Sequence, residues 1–343
     1  MTSFVPVGVK AALAGRRQGV RMRRAVVVIT GASSGIGRAT AVECARRGAR
    51  VVLAARSAAQ LEQVAEACRR RGGEAFAVPT DVTDEAAVEA LARRAVDGFG
   101  RIDVWVNAAG VGILGRFDQV PERDLRRLIE VNVLGAVHGA RAAVTVMRRQ
   151  GHGVVIDVAS LLGGRVTAPY TGGYALSKAA LITFDEVVRG ELALMGERRI
   201  RVCTVLPAGV DTPFFRHAAN HTGRVLRSLP PVATPERVAR AIAGTARRPR
   251  SRVLVGPYAR LLVGARAVCP AVVRRAAAWR TDRAYFGGGP QEATSGILEV
   301  PCGPDAAVHG GRHARLRTAA RGAAAAAAAL GALHAVRAVR PAG

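Results

Sequence analysis

The stretch Ala25–Thr30, Ala-Val-Val-Val-Ile-Thr, is a continuous and largely β-branched apolar run that leads directly into Gly31-Ala32-Ser33-Ser34-Gly35-Ile36-Gly37. A strand that is apolar on both faces must be covered on both faces. A parallel sheet between two helical layers does this, and a half-exposed antiparallel sheet does not. The glycines allow a tight turn and a close approach of backbone to a ligand. A helical stretch, Gly35–Arg47, starts within the turn and presents free N–H groups and a partial positive charge at its first turn. Many loops contain a glycine trio, but one placed between a buried strand and a helix marks a pyrophosphate-sized anion site.

The alternation continues along the chain. Val51–Ala54, Phe76–Val78, Ile102–Val106, Val154–Val158, Val202–Leu206 and Val253–Val255 read as further strands. Helical patterns fall at Ala58–Arg71, Asp84–Asp97, Glu122–Ile129, Val131–Met147, Gly173–Met195 and Pro235–Ala246. Strands alternating with helices predict right-handed βαβ units in a doubly wound α/β fold, a Rossmann-type parallel sheet with helices on both faces. Ligands of such folds bind at the carboxyl ends of the strands. The chain divides into a basic N-terminal arm (1–22), a Rossmann domain (23–256) and a C-terminal extension (257–343) that is basic and partly helical or disordered. Met22, just before the first strand, is an alternative start. Within the extension, Leu261–Val273 is apolar but interrupted by Arg266, and the Gly/Pro-rich Gly287–Pro304 predicts a loop. Ala319–Val339 is alanine-dominated and predicts a surface helix or frayed tail, because its apolar run falls short of the roughly 20 residues a membrane span needs.

The formal net charge is +26, yet basic residues are spread over arm, domain and extension, and only 4% of residues are aromatic. A nucleic-acid footprint would be clustered and interleaved with aromatics, so no nucleic-acid partner is expected. A phosphorylated cofactor or an acidic lipid surface fits the charge, the latter as a peripheral contact through the extension. The five cysteines form no C-x-x-C pair, and the first residues lack a secretory leader pattern, which together point to a reducing cytoplasm. His138, His152, His217 and His221 share no metal-ligand spacing, so no metal is expected.

Of the 51 basic residues only Lys10 and Lys178 are lysines. Lys178 follows Tyr174 at a spacing of four, which puts ammonium and phenol on one helix face. Arginine is a poor substitute where a compact, titrating point charge is needed. At the end of the second strand, Leu53-Ala54-Ala55-Arg56 lacks the acid that would accept a ribose 2′-hydroxyl and repel a 2′-phosphate. Arg56 and Arg38 are cations suited to a 2′-phosphate, so NADP(H) is preferred and NAD(H) is the alternative.

Together these motifs resemble the short-chain dehydrogenase/reductase family in its non-extended, single-Rossmann form, over roughly 23–256. Thr30 to Gly37 is similar to the family's T-G-x-x-x-G-x-G turn, with Gly31, Ser33, Ser34, Gly35, Ile36 and Gly37 around the cofactor. Asp81 matches the family's adenine contact, with Val82 beside it. Asn107-Ala108-Ala109-Gly110 resembles N-N-A-G with Ala108 in place of the second asparagine. Pro207, Gly209, Val210 and Thr212 resemble the loop around the nicotinamide, with one extra residue after Pro207.

The resemblance implies a catalytic tetrad of Asn132, Ser160, Tyr174 and Lys178 in an NADP(H)-dependent oxidoreductase that interconverts a carbonyl and an alcohol by hydride transfer. Tyr174 would be the general acid/base, with its pKa lowered by Lys178, which would also hold the nicotinamide ribose. Ser160 would bind the carbonyl oxygen, and Asn132 would kink its helix and position a water linking Lys178 to solvent. Asp157 is expected to be structural and Tyr170 to lie in the substrate pocket wall. Pro213–Arg224 is expected to form a lid bearing Phe214, Phe215 and His217. With Leu226 beyond it, and Gly112–Phe117 and Leu161–Tyr170 as further walls, it would enclose an apolar pocket for a small to medium carbonyl or alcohol. A homo-dimer or tetramer is the family's usual assembly. The alternative function is a non-catalytic NADP(H)-binding sensor or scaffold that docks through its basic tails.

Overall fold

The β-branched run forms β1 (Val26–Thr30), buried along its whole length. Its side chains alternate between two cores: Val27 and Ile29 belong to one and Val26 and Val28 to the other. The structure, a computed structural model, describes residues 19–226, 232–300 and 307–311. Six more strands join β1 in a parallel sheet: β2 (Arg50–Ala55), β3 (Glu74–Pro79), β4 (Val104–Asn107), β5 (Gly153–Val158), β6 (Ile200–Pro207) and β7 (Arg252–Val255). Their order is β7-β6-β5-β4-β1-β2-β3. The chain winds outward from β1 to β3, then returns to lay β4 against the other side of β1. At that reversal the connections leave to opposite faces of the sheet, and a crevice opens beyond Thr30 and its partner Asn107.

Helices α1 (Gly35–Arg46) and α2 (Ala58–Arg69) cover one face, and α3 (Glu85–Phe99) covers the other. The caps are local: Asp84 accepts from the Ala87 N–H at the start of α3, and Gly100 ends it in the left-handed region. Helix α4 (Glu122–Ile129) passes through a π-turn at Glu130–Leu134 into α5 (Gly135–Gln150). The expected helix from Val131 therefore begins with one wide, underwound turn, and that turn contains Asn132. Helix α6 (Gly172–Leu194) packs with α5 on the face of α3, and α7 (Pro235–Arg247) packs with α1 on the opposite face. Met22 lies in the same core as α1.

The extension is more ordered than its composition suggests. Leu261–Val273 spans two helices, α8 (Ala259–Val268) and α9 (Pro270–Ala284), split where Pro270 starts the second. The expected loop Gly287–Pro304 is corrected at its start. Phe286–Pro290 is a strand paired antiparallel with Arg224–Leu226, because two backbone edges meet there, a pairing that composition does not encode. Residues 294–299 then cross back over the sheet edge and bury Leu298. Ala319–Val339 and most of the N-terminal arm lie outside the described residues. Among the described residues no helix is long and apolar enough to cross a membrane, and no group of three or more His, Cys, Asp or Glu side chains could hold a metal.

One polar cluster sits inside the sheet. Asp157 of β5 accepts from Asn107 Nδ2 at 2.7 Å, and Asp185 of α6 accepts from Thr204 Oγ1 at 2.5 Å. The other two oxygens, Asp157 Oδ2 and Asp185 Oδ1, lack a donor when both carboxyls are ionised. One retained proton satisfies both. Burial, and then the neighbouring Asp157 charge, push Asp185 up to about 10. The unfolded chain releases that proton near ~4. The stability it contributes is complete below the unfolded value and is lost as pH climbs toward the folded one. Between about pH 5 and about pH 9 the melting temperature is expected to fall more steeply in the native chain than in Asp185→Asn. Thermal melts across that range check this, and parallel slopes would exclude the shared proton.

Candidate active site

The glycine turn after β1 is shaped by contact. Gly31 has φ +66°, and a Cβ there would stand 2.6 Å from the Ala109 backbone. A Cβ on Gly37 would stand 2.1 Å from the Gly31 carbonyl oxygen. Only glycine allows α1 to begin this close to β1 and β4, which leaves the helix N-terminus facing the cleft. Gly31, Ser33, Ser34, Gly35, Ile36 and Gly37 all line this cleft, as do Arg56, Asp81, Val82, Ala108, Ala109, Gly110 and Thr212. Asn107 does not. Its amide is buried beneath the cleft, accepting from Trp105 Nε1 at 2.7 Å and donating to the Ala136 carbonyl at 3.1 Å as well as to Asp157. Burial opposes the charge on Asp81. Hydrogen bonds from Thr83 N and Oγ1, with Arg127 and Arg56 nearby, outweigh it and hold the carboxyl below its usual range.

Sequence reading missed Arg127. It donates to Asp81 at 3.2 Å and Glu130 at 3.1 Å, and so stands behind Asp81 of the cleft. In a chain with so many arginines no local pattern singles it out. Arg56, expected to face a cofactor phosphate, instead donates to the backbone carbonyls of Ile297, Leu298 and Glu299 at 2.7, 3.3 and 2.8 Å. The Gly35 N–H donates to the carbonyl of Ala307 at 3.1 Å.

At the other end of the crevice, Tyr174 and Lys178 rise from the first turns of α6. Lys178 is buried, donates to the Val158 carbonyl at 3.0 Å and stands 5.7 Å from the centroid of the Tyr174 ring. Burial pushes Lys178 down to about 8, against the opposing charge of Asp157. Burial pushes the Tyr174 phenol up to about 12, and a hydrogen bond with Ser160 acts against it. Ser160 is the group that pulls the phenol back down. Ser160 Oγ also accepts from the Leu162 N–H at 3.1 Å, at the N-cap of a short turn. Asn132 Oδ1 accepts from Val111 N at 2.8 Å, and its Nδ2 donates to Val111 O and Ser177 Oγ, both at 3.0 Å. The π-turn aims this amide at two elements at once, tying the loop after β4 to the α6 turn between Tyr174 and Lys178.

Ser160, Tyr174, Lys178, Pro207, Gly209 and Val210 line a second cavity of about 570 Å³. Gly110, Thr212 and Phe214 line both cavities, so the cleft and the cavity meet there. The lid is aromatic: Phe214 packs edge-on to Tyr174 with centroids 5.2 Å apart, and Phe215 packs on Tyr285 at 5.6 Å. His217 faces the cleft, and Leu226 joins the small core around Tyr285. The far wall of the cavity comes from the extension through Leu262, Val273, Ala277 and Thr281. Val273, Ala277 and Thr281 recur every four residues, a helical face that periodicity could have exposed. Tyr170 corrects another expectation. It does not line the cavity; with φ +64° its backbone turns the ring outward, onto Phe286, and its hydroxyl hydrogen-bonds Asp282 of α9.

Residues 25–222 match the family model described as short chain dehydrogenase. The chain belongs to the short-chain dehydrogenase family. It is 36% identical over 259 residues to the uncharacterized oxidoreductase YxnA of Bacillus subtilis, covering 74% of this chain and 72% of that one. It is 33% identical over 272 residues to the probable oxidoreductase EphD of Mycobacterium tuberculosis, but spans only 45% of EphD's length. Among solved structures, a short chain dehydrogenase/reductase from Burkholderia phymatum in complex with NAD superposes with a TM-score of 0.65 at 27% identity, covering 74% of this chain and 97% of that one. An alcohol dehydrogenase from the archaeon Thermococcus sibiricus, complexed with 5-hydroxy-NADP, superposes with a TM-score of 0.59 at 30% identity, covering 67% and 95%.

In this dehydrogenase Asn132 ties the loop after β4 to the first turns of α6. Asn132→Ala leaves the buried N–H and C=O of Val111 without their side-chain partners. It is expected to cost about 1–3 kcal/mol and to lower the melting temperature by several degrees. Calorimetry checks this, and an unchanged melt would show that the amide is dispensable.

Proposed function

We propose that this dehydrogenase interconverts a carbonyl and an alcohol on a small to medium apolar substrate and uses NADP(H) in preference to NAD(H). The observation that carries the reading is the meeting of two cavities beside Tyr174, Lys178 and Ser160. One is a glycine-lined cleft against a helix N-terminus, and the other is an apolar chamber. The cleft fits a dinucleotide, since its floor is backbone that no side chain could share. Gly31, Ser33, Ser34, Gly35, Ile36 and Gly37 would hold the pyrophosphate, Asp81 and Val82 the adenine, and Ala108, Ala109 and Gly110 with Pro207, Gly209, Val210 and Thr212 the nicotinamide half. A bound nicotinamide supplies or accepts the hydride.

The chain's own residues handle the proton. Tyr174 is protonated at neutral pH and gives its proton to the carbonyl oxygen in reduction, or takes it back from the alcohol in oxidation. Ser160, within reach of the phenol, steadies the same oxygen. Lys178, with its affinity for a proton lowered by burial, restores the phenol's proton and grips the nicotinamide ribose. Asn132 positions both loops. The absence of an acid after β2 supports NADP(H), and the two structural neighbours were solved with an NADP-type and an NAD cofactor respectively.

Two surfaces support the assembly and setting of the enzyme, which we place in the cytoplasm. Leu176, Val187 and Leu194 are 57, 53 and 90% exposed at helical spacing along α6, a stripe suited to a homo-dimer or tetramer. On α8 and α9, exposed Leu261, Val268, Val272 and Trp279 alternate with Arg260, Arg274 and Arg275, a face suited to peripheral contact with an anionic bilayer.

Tyr174→Phe is expected to lower turnover by about 10²–10⁴-fold, the scale of lost proton transfer, while NADPH still binds. A carbonyl and alcohol panel read by NADPH absorbance, run in parallel with NADH, measures this. Retained turnover in the variant refutes the assignment. Tight NADPH binding with no turnover by the native chain on any substrate would favour the sensor or scaffold reading. Flotation with anionic vesicles, and its loss in Trp279→Glu, checks the membrane face.

A further inference from the structure

We infer that the backbone strap Ile297–Glu299 competes with a 2′-phosphate for Arg56 and so sets how strongly this enzyme distinguishes NADPH from NADH. The inference rests on the nicotinamide-cofactor reading above and concerns Arg56, one of the two guanidiniums, with Arg38, that the sequence offers to a 2′-phosphate.

The strap is held firmly. Thr294 and Asn220 exchange two backbone hydrogen bonds, at 2.7 and 3.0 Å. Ser295 Oγ donates to Asp124 Oδ2 at 3.1 Å. Gly296, at φ +54°, passes so close to the lid that a Cβ would stand 2.2 Å from the His217 carbonyl oxygen. The Ile297 N–H donates to that same carbonyl at 3.0 Å. Leu298 is 1% exposed and packs into the core beside α3 and α5. Anchored in this way, the strap turns three consecutive carbonyls onto Arg56, with Arg127 Nε donating to the middle one at 3.2 Å.

The consequence is a competition that one cofactor meets and the other avoids. Arg56 and Ile297 both line the cleft. A 2′-phosphate must draw the guanidinium away from carbonyls that are fixed by a buried leucine, whereas a ribose 2′-hydroxyl makes no such demand. A charge-assisted bidentate phosphate contact is stronger than contacts to neutral carbonyls. The strap therefore reduces NADPH affinity without abolishing it. A second carbonyl, that of Ala307, sits on the Gly35 N–H. That donor serves the pyrophosphate common to both dinucleotides, so its displacement weakens both equally and does not bear on the choice.

The test unseats the strap without touching the cleft. Leu298→Ala removes the buried anchor. The ratio of NADPH to NADH affinity, from fluorescence titration of each dinucleotide, is expected to rise by about tenfold, the scale of one charge-assisted hydrogen bond. A ratio that stays the same or falls overturns the inference. Hydrogen exchange on the native chain gives an answer that does not depend on the variant folding. The Leu298 amide, which donates to Ser295 O at 3.2 Å, should exchange faster with NADPH bound than with NADH bound. Equal protection overturns the inference in the same way. If neither dinucleotide binds the native chain, the cofactor reading itself has failed; if both bind and the ratio ignores the strap, only the competition has.

Discussion

The structure depends on the burial of one sheet on both faces. Every residue of β1 is sealed, and Val26 and Val28 point into one core while Val27 and Ile29 point into the other. Strands of this kind need helices on each side, and helices on each side need crossovers long enough to carry them. The reversal of strand order at β1 then becomes the one place where connections diverge and leave a crevice. The glycine turn, the Asn107–Gly110 segment and the loop carrying Ser160 all open into or beside it because they follow adjacent strands. The shape of the crevice is a by-product of how the core is covered.

Polar groups buried near that crevice are arranged so that each has a partner. Asn132 satisfies Val111 and Ser177, Asn107 satisfies Trp105 and Asp157, and Lys178 meets the Val158 carbonyl. Satisfied buried polar groups rigidify their surroundings, and unsatisfied ones are expensive. Among the described residues the departures are one oxygen each of Asp157 and Asp185, which one retained proton would satisfy. Burial shifts both Tyr174 and Lys178 toward their neutral forms: it raises Tyr174 to about 12 and lowers Lys178 to about 8, which still leaves Lys178 mostly protonated at neutral pH.

The extension makes the enzyme individual. Helices α8 and α9 wall the second cavity, a strand from 286 pairs with Arg224–Leu226, and the strap holds Arg56 at the first cleft. A segment that composition marks as loop and tail therefore borders both cavities.

The fold class, the glycine turn at a strand end and the shared helix face of Tyr174 and Lys178 were legible in the sequence. They arise from local signals: β-branched runs, a glycine trio and a four-residue spacing on a helix, whereas Ser160 was named only through the family resemblance. The outward ring of Tyr170, the strand at 286 and the capture of Arg56 were not legible. Each is decided by a partner far away in the chain: Asp282, Arg224–Leu226, and Ile297–Glu299. Short-range pattern determined which elements form and which side chains share a face. Only the packing of remote segments decided which charge meets which acceptor, because a guanidinium binds whatever carbonyl or phosphate the tertiary structure brings within about 3 Å.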